Sequence, residues 1–358
     1  MIKRTQRNRL AAGVVLATFA TATVAATTTL AGNAAGAGTA ARAGDQQAAA
    51  AKGWKPAWHS EFGSPRSQWP TAWRKVEDAP LSAWGTKDRV VVSPGKSQAR
   101  NLAKNVDLAN GKLVITTRRL CAKVAPTSET DFSWLADSKP SVKACSGARK
   151  VPVYTSGRLQ MEAAAYQASG AAVRMDFRAT LPSDPATGTR QALWANNAQP
   201  YCSYDGKTVT VTNLGEVDAV EWYGNKPGAS YSTTHMSCAT NGAHPGRTLR
   251  REHQDPVKAG STHTWTVIKR GNTATYLLDG KAVEEKEAKA IDSCRKAPFT
   301  VPDTASCATI MRSPWMTILQ GEVFAGKYKA ANRQSGPNDK AAFPVQKLKV
   351  DWVRVYTG

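Results

Sequence analysis

The sequence predicts an all-β protein, a sandwich or barrel of short antiparallel strands, on three observations. Runs rich in β-branched and aromatic residues recur along the chain, several alternate apolar and polar side chains with a period of two, and tight-turn dipeptides separate them. Long amphipathic patterns at helical spacing are missing; the best candidate is the charged run 282–290. Many short strands over some 300 residues point to two packed sheets or a closed one.

The strands read in order as LVITTRR at 113–119, YTSGRLQMEAA at 154–164, AVRMDFRATLP at 172–182, THTWTVIKR at 262–270, TATYLLDG at 273–280 and KLKVDWVRVY at 347–356. In the third, Val173, Met175 and Phe177 alternate with Arg174, Asp176 and Arg178, the mark of a half-buried strand. In the last, strict alternation sets Val350, Trp352, Arg354 and Tyr356 against Asp351, Val353 and Val355. Asn110-Gly111 and Asp279-Gly280 are turn signals. Residues 281–315 hold two Cys and no clear strand, and read as a disulfide-tied loop.

The N-terminus reads as an export signal. Lys3, Arg4, Arg7 and Arg9 precede an uncharged apolar run from Leu10 to Ala26, short and Thr-rich for a permanent membrane span. Residues 27–51 are rich in Ala, Gly and Thr, with Ala41-Arg42-Ala43 a candidate cleavage site. From residue 52 to 358 there is neither linker nor repeat, so one domain is expected there. The six cysteines, Cys121, Cys145, Cys202, Cys238, Cys294 and Cys307, all follow the signal and contain no CxxC pair. This favours disulfides over a zinc ribbon. Pairing between sequence neighbours, 121–145, 202–238 and 294–307, is the expectation.

The net charge of +21 suggests a polyanion. The basic residues are dispersed along the whole length, which argues against a nucleic-acid partner and for a solvated basic surface or an acidic polymer. Eleven Trp, more than the nine Tyr or seven Phe, suggest stacking surfaces as well as core. No GxSxG, HExxH or Walker loop occurs, so serine-hydrolase, zinc-protease and nucleotide-dependent chemistry have no motif to stand on.

The most informative stretch is GEVDAVEWYGN at 215–225, where Glu216, Asp218 and Glu221 fall within six residues. In a regular strand Glu216 and Asp218 share a face and Glu221 points away. One extra residue, a β-bulge, would return Glu221 to their side. Three carboxylates on one face suit retaining glycoside hydrolysis, which needs a carboxylate nucleophile beside a protonated carboxyl. Crowded like charges help to keep one of them protonated. A solvated acidic edge or a calcium site would show the same three letters.

This segment, with its neighbours, resembles glycoside hydrolase family 16 in its bulged form, E-x-D-x-x-E, the laminarinase-like type. WHSEF at 58–62, NVDLANGKLVITTRR at 105–119, YTSGRLQ at 154–160, FRATLP at 177–182, ALWANN at 192–197, THTWTVIKRGNTATYLLDG at 262–280 and KLKVDWVRVY at 347–356 follow the family's order. The resemblance implies a β-jelly-roll of two antiparallel sheets, one of them concave and forming a catalytic cleft. It implies endo-acting retaining cleavage, with Glu216 as nucleophile, Glu221 as acid/base, Asp218 assisting between them and Trp194 as a sugar platform. RQALWANN replaces a bulkier W-P-A-F-W-M run, an insertion holding Cys202 and Cys238 brackets the site, and Gln320 stands where Asn is common.

Further candidates for substrate contact are His235, Arg158, Trp73 and Trp84. Trp222 and His263 are expected to be structural. Asp351 resembles a structural calcium ligand of some members, although no cofactor is required for the chemistry. The expectation is a secreted, monomeric endo-β-glycanase acting on a polysaccharide, with β-1,3-glucan as leading substrate and no stable membrane association. Agar- or carrageenan-type galactans, transglycosylation and a non-catalytic glycan-binding role are the alternatives.

Overall fold

The computed structural model describes residues 53–63, 73–76, 99–127, 133–161, 172–197, 201–204, 207–210, 215–236, 249–271, 273–282, 291–292 and 315–358. The 1–51 segment, Trp84 and Cys238, Cys294 and Cys307 lie outside them, as does the side chain of Cys202. No helix among the described residues is long and apolar enough to cross a membrane.

Two sheets face each other. The larger runs, by neighbours, Lys281–Ala282, Thr273–Leu278, Thr262–Arg270, Ala172–Thr180, Gln346–Thr357, Lys112–Ala122, Val151–Ser156 and Ala99–Asn101, with Lys55–Glu61 also paired to Gln346–Thr357. The smaller runs Leu249–Pro256, Ala229–Met236, Gly215–Tyr223, Thr189–Asn197, Trp315–Val323, Arg158–Met161 and Trp73–Val76. All its pairings are antiparallel. The larger sheet contains one parallel pair, Ala99–Asn101 on Val151–Ser156, a three-residue strand added at its edge.

The sandwich follows from the period-two patterns. Val173, Met175 and Phe177 from the larger sheet meet Leu193, Val217, Trp222 and Leu319 from the smaller in one apolar core. Trp222, Trp265 and Trp315 are fully buried in that core. At roughly 3–5 kcal/mol lost on truncating such a residue, the tryptophan excess serves the interior more than the surface. The outward Asp176 is nonetheless buried, and it is satisfied by Arg174 Nε, which reaches its two carboxylate oxygens at 2.8 and 3.0 Å, and by the Thr266 hydroxyl at 2.7 Å. Both turn dipeptides adopt the left-handed pairs that a type I′ hairpin demands: Asn110 and Gly111 at φ 53° and 73°, Asp279 and Gly280 at 50° and 79°.

The backbone departs from the simple strand reading in two places. The YTSGRLQ run is two strands in different sheets, with Gly157 as the corner between Val151–Ser156 and Arg158–Met161. A Cβ there would lie 2.6 Å from Val106 Cγ2 and 3.0 Å from the Asn105 carbonyl oxygen, so the corner fits only a residue without a side chain. In Gln346–Thr357 the register shifts between Val350 and Trp352, making Asp351 an extra residue. Val350 therefore joins Val353 and Val355 in the core, while Trp352 and Arg354 lie on the outer side with their rings and guanidinium stacked.

Cys121 and Cys145 form a disulfide, as neighbour pairing expects. It ties the Lys112–Ala122 strand to a segment 24 residues on. Replacing both by Ser is expected to lower stability by about 3 kcal/mol, the loop-entropy value for a closure of that size. Denaturant unfolding would measure it. Gly157→Ala is expected to cost about 1–3 kcal/mol through overpacking; thermal unfolding at wild-type stability would show that the corner can yield.

Candidate active site

The site begins with the geometry of the Gly215–Tyr223 strand. Its partner register runs Glu216 to His235, Val217 to Thr234 and Asp218 to Thr233, then jumps to Glu221 opposite Tyr231 and Trp222 opposite Ser230. The strand on its other side shows the same extra residue: Leu193 pairs Val220 while Trp194 pairs Asp218. The shift returns Glu221 to the face of Glu216 and Asp218. Val217, Ala219, Val220 and Trp222 all pack in the core behind them. Trp222 is structural, as expected, and its indole donates to the Pro227 carbonyl at 3.1 Å.

Cross-strand partners share a face, so the registers extend the carboxylate line sideways. Asn196, Trp194, Ala192 and Arg190 come from Thr189–Asn197, and Ile318, Gln320 and Glu322 from Trp315–Val323. Arg158 and Gln160 come from Arg158–Met161. Glu216 is half-buried, whereas Asp218 and Glu221 are 4% and 2% exposed, which makes their hydrogen bonds decisive.

Glu221 Oε1 accepts from the Tyr223 hydroxyl at 2.8 Å and from Arg190 Nη1, and Oε2 accepts from the Thr233 hydroxyl at 3.4 Å. The same Arg190 donates through Nε to Glu322 at 2.7 Å and contacts it again through Nη2. Gln320 donates to Glu322, and Arg158 donates to Gln320 at 3.2 Å and to Gln160 at 3.1 Å. The floor of the site is thus a hydrogen-bonded network crossing five strands. Burial alone would lower the pKa of Arg190, but the carboxylates of Glu322 and then Glu221 outweigh it and hold the guanidinium charged. Burial, reinforced by Glu221, pushes the Tyr223 phenol well above its ordinary value, so it stays a neutral donor.

The structure brings Glu216, Asp218, Glu221, Trp194 and Arg158 onto one face. Trp194 is half-buried, and the Arg158 guanidinium sits 5.1 Å from its ring centroid. Arg158 therefore braces the floor and covers part of the ring. Position 235 stands opposite Glu216 in the register, and the His235 side chain lies outside the described residues, as does Trp84.

Two expectations are corrected. Trp73 is no sugar platform: it is 7% exposed and packs edge-on to Trp58 at 5.5 Å and against Phe62 at 5.9 Å, inside the core cluster. The surroundings of Asp351 do not fit calcium, because its carboxylate oxygens face Lys112 and, at 3.5 Å, Arg178. Its carbonyl accepts from the Phe62 amide at 3.2 Å. Among the described residues no group of three His, Cys, Asp or Glu side chains could hold a metal.

Sequence reasoning missed Arg190, Tyr223 and Glu322 as site residues. Alternation counted back from Trp194 assigns Arg190 to its face, and counted on from Glu221 assigns Tyr223.

No protein-family model matches the chain, and no curated protein does. Solved structures do. A structure described under endo-acting O-glycanases of the human gut microbiota that initiate mucin breakdown aligns at TM-score 0.56 and 21% identity, over 86% of this chain and 92% of that one. The endo-1,3-β-glucanase (laminarinase) catalytic domain of Thermotoga petrophila aligns at 0.54 and 19%, over 85% and 97%. The non-specific endo-β-1,3(4)-glucanase SCLam, of family GH16, aligns at 0.53 and 19%, over 85% and 91%. The chain has the jelly-roll fold of the glycoside hydrolase family 16 endo-glycanases.

Asp351→Asn is expected to cost about 1 kcal/mol or less, as for other partly exposed ion pairs. Millimolar calcium is expected to leave the melting temperatures of both proteins unchanged; stabilisation of the wild type alone would restore Asp351 as a ligand.

Proposed function

We propose that the chain is a secreted retaining endo-β-glycanase, exported on its N-terminal signal and acting on β-1,3-glucan. The observation that carries this reading is the register shift between Asp218 and Glu221, which aligns three carboxylates on the polar face of the smaller sheet.

In the first step ionised Glu216 attacks the anomeric carbon while protonated Glu221 donates its proton to the departing glycosidic oxygen, and that C–O bond breaks. In the second, water attacks the glycosyl-enzyme ester. Glu221, now a carboxylate, takes the water's proton, and Glu216 leaves as carboxylate. Asp218 lies between them on the same face, where a hydrogen bond or a shared proton would tune Glu216. Trp194 offers the part of its ring that Arg158 leaves open to a pyranose face. No step requires a metal.

The likeness to the Thermotoga laminarinase and to SCLam supports glucan as substrate. The mucin-degrading O-glycanase supports a second reading, a mucin-type O-glycan, on the same carboxylates. The basic surface favours an anionic polymer at the level of encounter rather than chemistry.

The test is reducing-end release from laminarin, mixed-linkage glucan, agarose, κ-carrageenan and mucin by the wild type and Glu216→Gln. One polymer should be cleaved, with kcat lower by several powers of ten in the variant, each tenfold being about 1.4 kcal/mol of barrier. Equal glycan binding by both folded proteins without release from any polymer would make the sandwich a binding module. Chain lengthening at high substrate concentration would make it a transglycosylase.

A further inference from the structure

We infer that Arg190 is a positioning residue that grips Glu221 and favours its ionised form, thereby setting the pH below which Glu221 carries the proton that it delivers as an acid. The inference rests on the acid/base reading of Glu221 and adds to it a residue outside the acidic strand.

The geometry is specific. Arg190 opens the RQALWANN run and shares its face with Trp194. Its guanidinium spans two strands, with Nη1 on Glu221 and both Nε and Nη2 on Glu322. The two carboxylates are almost fully buried, with side chains 2% and 8% exposed, while Arg190 is 24% exposed. The guanidinium carbon lies over the Phe324 ring, 5.5 Å from its centre. A planar fork can hold two carboxylates at once; an ammonium on a flexible stem cannot reproduce that geometry.

Among the described residues, the groups facing Glu221 come from every packed element. Glu216, Asp218 and the Tyr223 hydroxyl lie on its own strand, Arg190 on one neighbour, and the uncharged Thr233 and Tyr231 on the other, so the two carboxylates oppose the effect of Arg190. Glu322 shares the Arg190 guanidinium with it, and Arg333 lies over the Tyr223 and Tyr231 rings at 5.0 and 4.1 Å. Arg190 is a cation in direct contact with the Glu221 carboxylate, and such contact favours the charged form. The fork also fixes where Oε1 points, while Oε2 accepts the longer Thr233 contact.

The test titrates the Glu221 carboxyl by carbon-13 NMR, assigned by its loss in Glu221→Gln, in the wild type, Arg190→Met, Arg190→Met/Glu322→Gln and Arg190→Lys. The double variant removes the carboxylate that Arg190→Met alone would strand, and Arg190→Lys keeps the charge should either neutral variant fail to fold. The titration midpoint is expected to rise by about 1–3 pH units without the cation, and by less in Arg190→Lys. The alkaline limb of the kcat/KM profile should move up with it. An unchanged midpoint in any folded variant overturns the inference, whatever its effect on stability. Because the titration needs no substrate, failure to cleave any glycan would defeat the glycosidase reading separately.

Discussion

A β-strand turns successive side chains to opposite faces, so two carboxylates five residues apart in it belong to different environments. The Gly215–Tyr223 strand escapes this constraint with one extra residue, accommodated by both neighbouring strands at the same place. Everything else at the site depends on that shift. Without it Glu221 would enter the apolar core, where an ionised carboxyl is not tolerated. Trp222 would be driven from the core onto the polar face. The bulge satisfies both requirements together: Val217, Ala219, Val220 and Trp222 fill the interior while Glu216, Asp218 and Glu221 stay on the other side.

Placing carboxylates on a nearly buried face creates a second demand, for donors. The smaller sheet supplies them from its own strands. Arg190, Tyr223 and Thr233 serve Glu221, and Arg190 and Gln320 serve Glu322. Removing one partner of such a buried pair typically costs 3–5 kcal/mol, because it strands the other charge. The network is therefore as much a condition of folding as an arrangement for chemistry, and its rigidity comes from being shared among five strands.

The parts of this design legible in the sequence are those governed by local periodicity. Alternation in 172–178 and the two turn dipeptides translated directly into structure. The spacing of Glu216, Asp218 and Glu221 allowed a bulge, and the resemblance of the neighbouring segments to the bulged family pattern favoured it over a solvated acidic edge. Features that depend on a distant partner were not legible. Trp73 reads equally as platform or core until Trp58 and Phe62 are placed beside it. Asp351 looks like a metal ligand until Lys112 and Arg178 are seen on it. Gly157 hides a change of sheet inside an apparently continuous strand, since the reason for its glycine is Val106, on another strand. Arg190 belongs to a run that departs from the resembled pattern, and its two partners lie 31 and 132 residues away.

The Gln346–Thr357 strand, last in the chain, is not at an edge of the larger sheet. It pairs with Lys112–Ala122, with Ala172–Thr180 and with Lys55–Glu61. The halves of that sheet therefore have no common centre until Gln346–Thr357 is in place. Contacts of such large sequence separation make folding slow, and the centre of the sheet forms only when these four strands have come together. Shortening the chain by this one strand would remove the axis on which the sheet is assembled, not a dispensable tail.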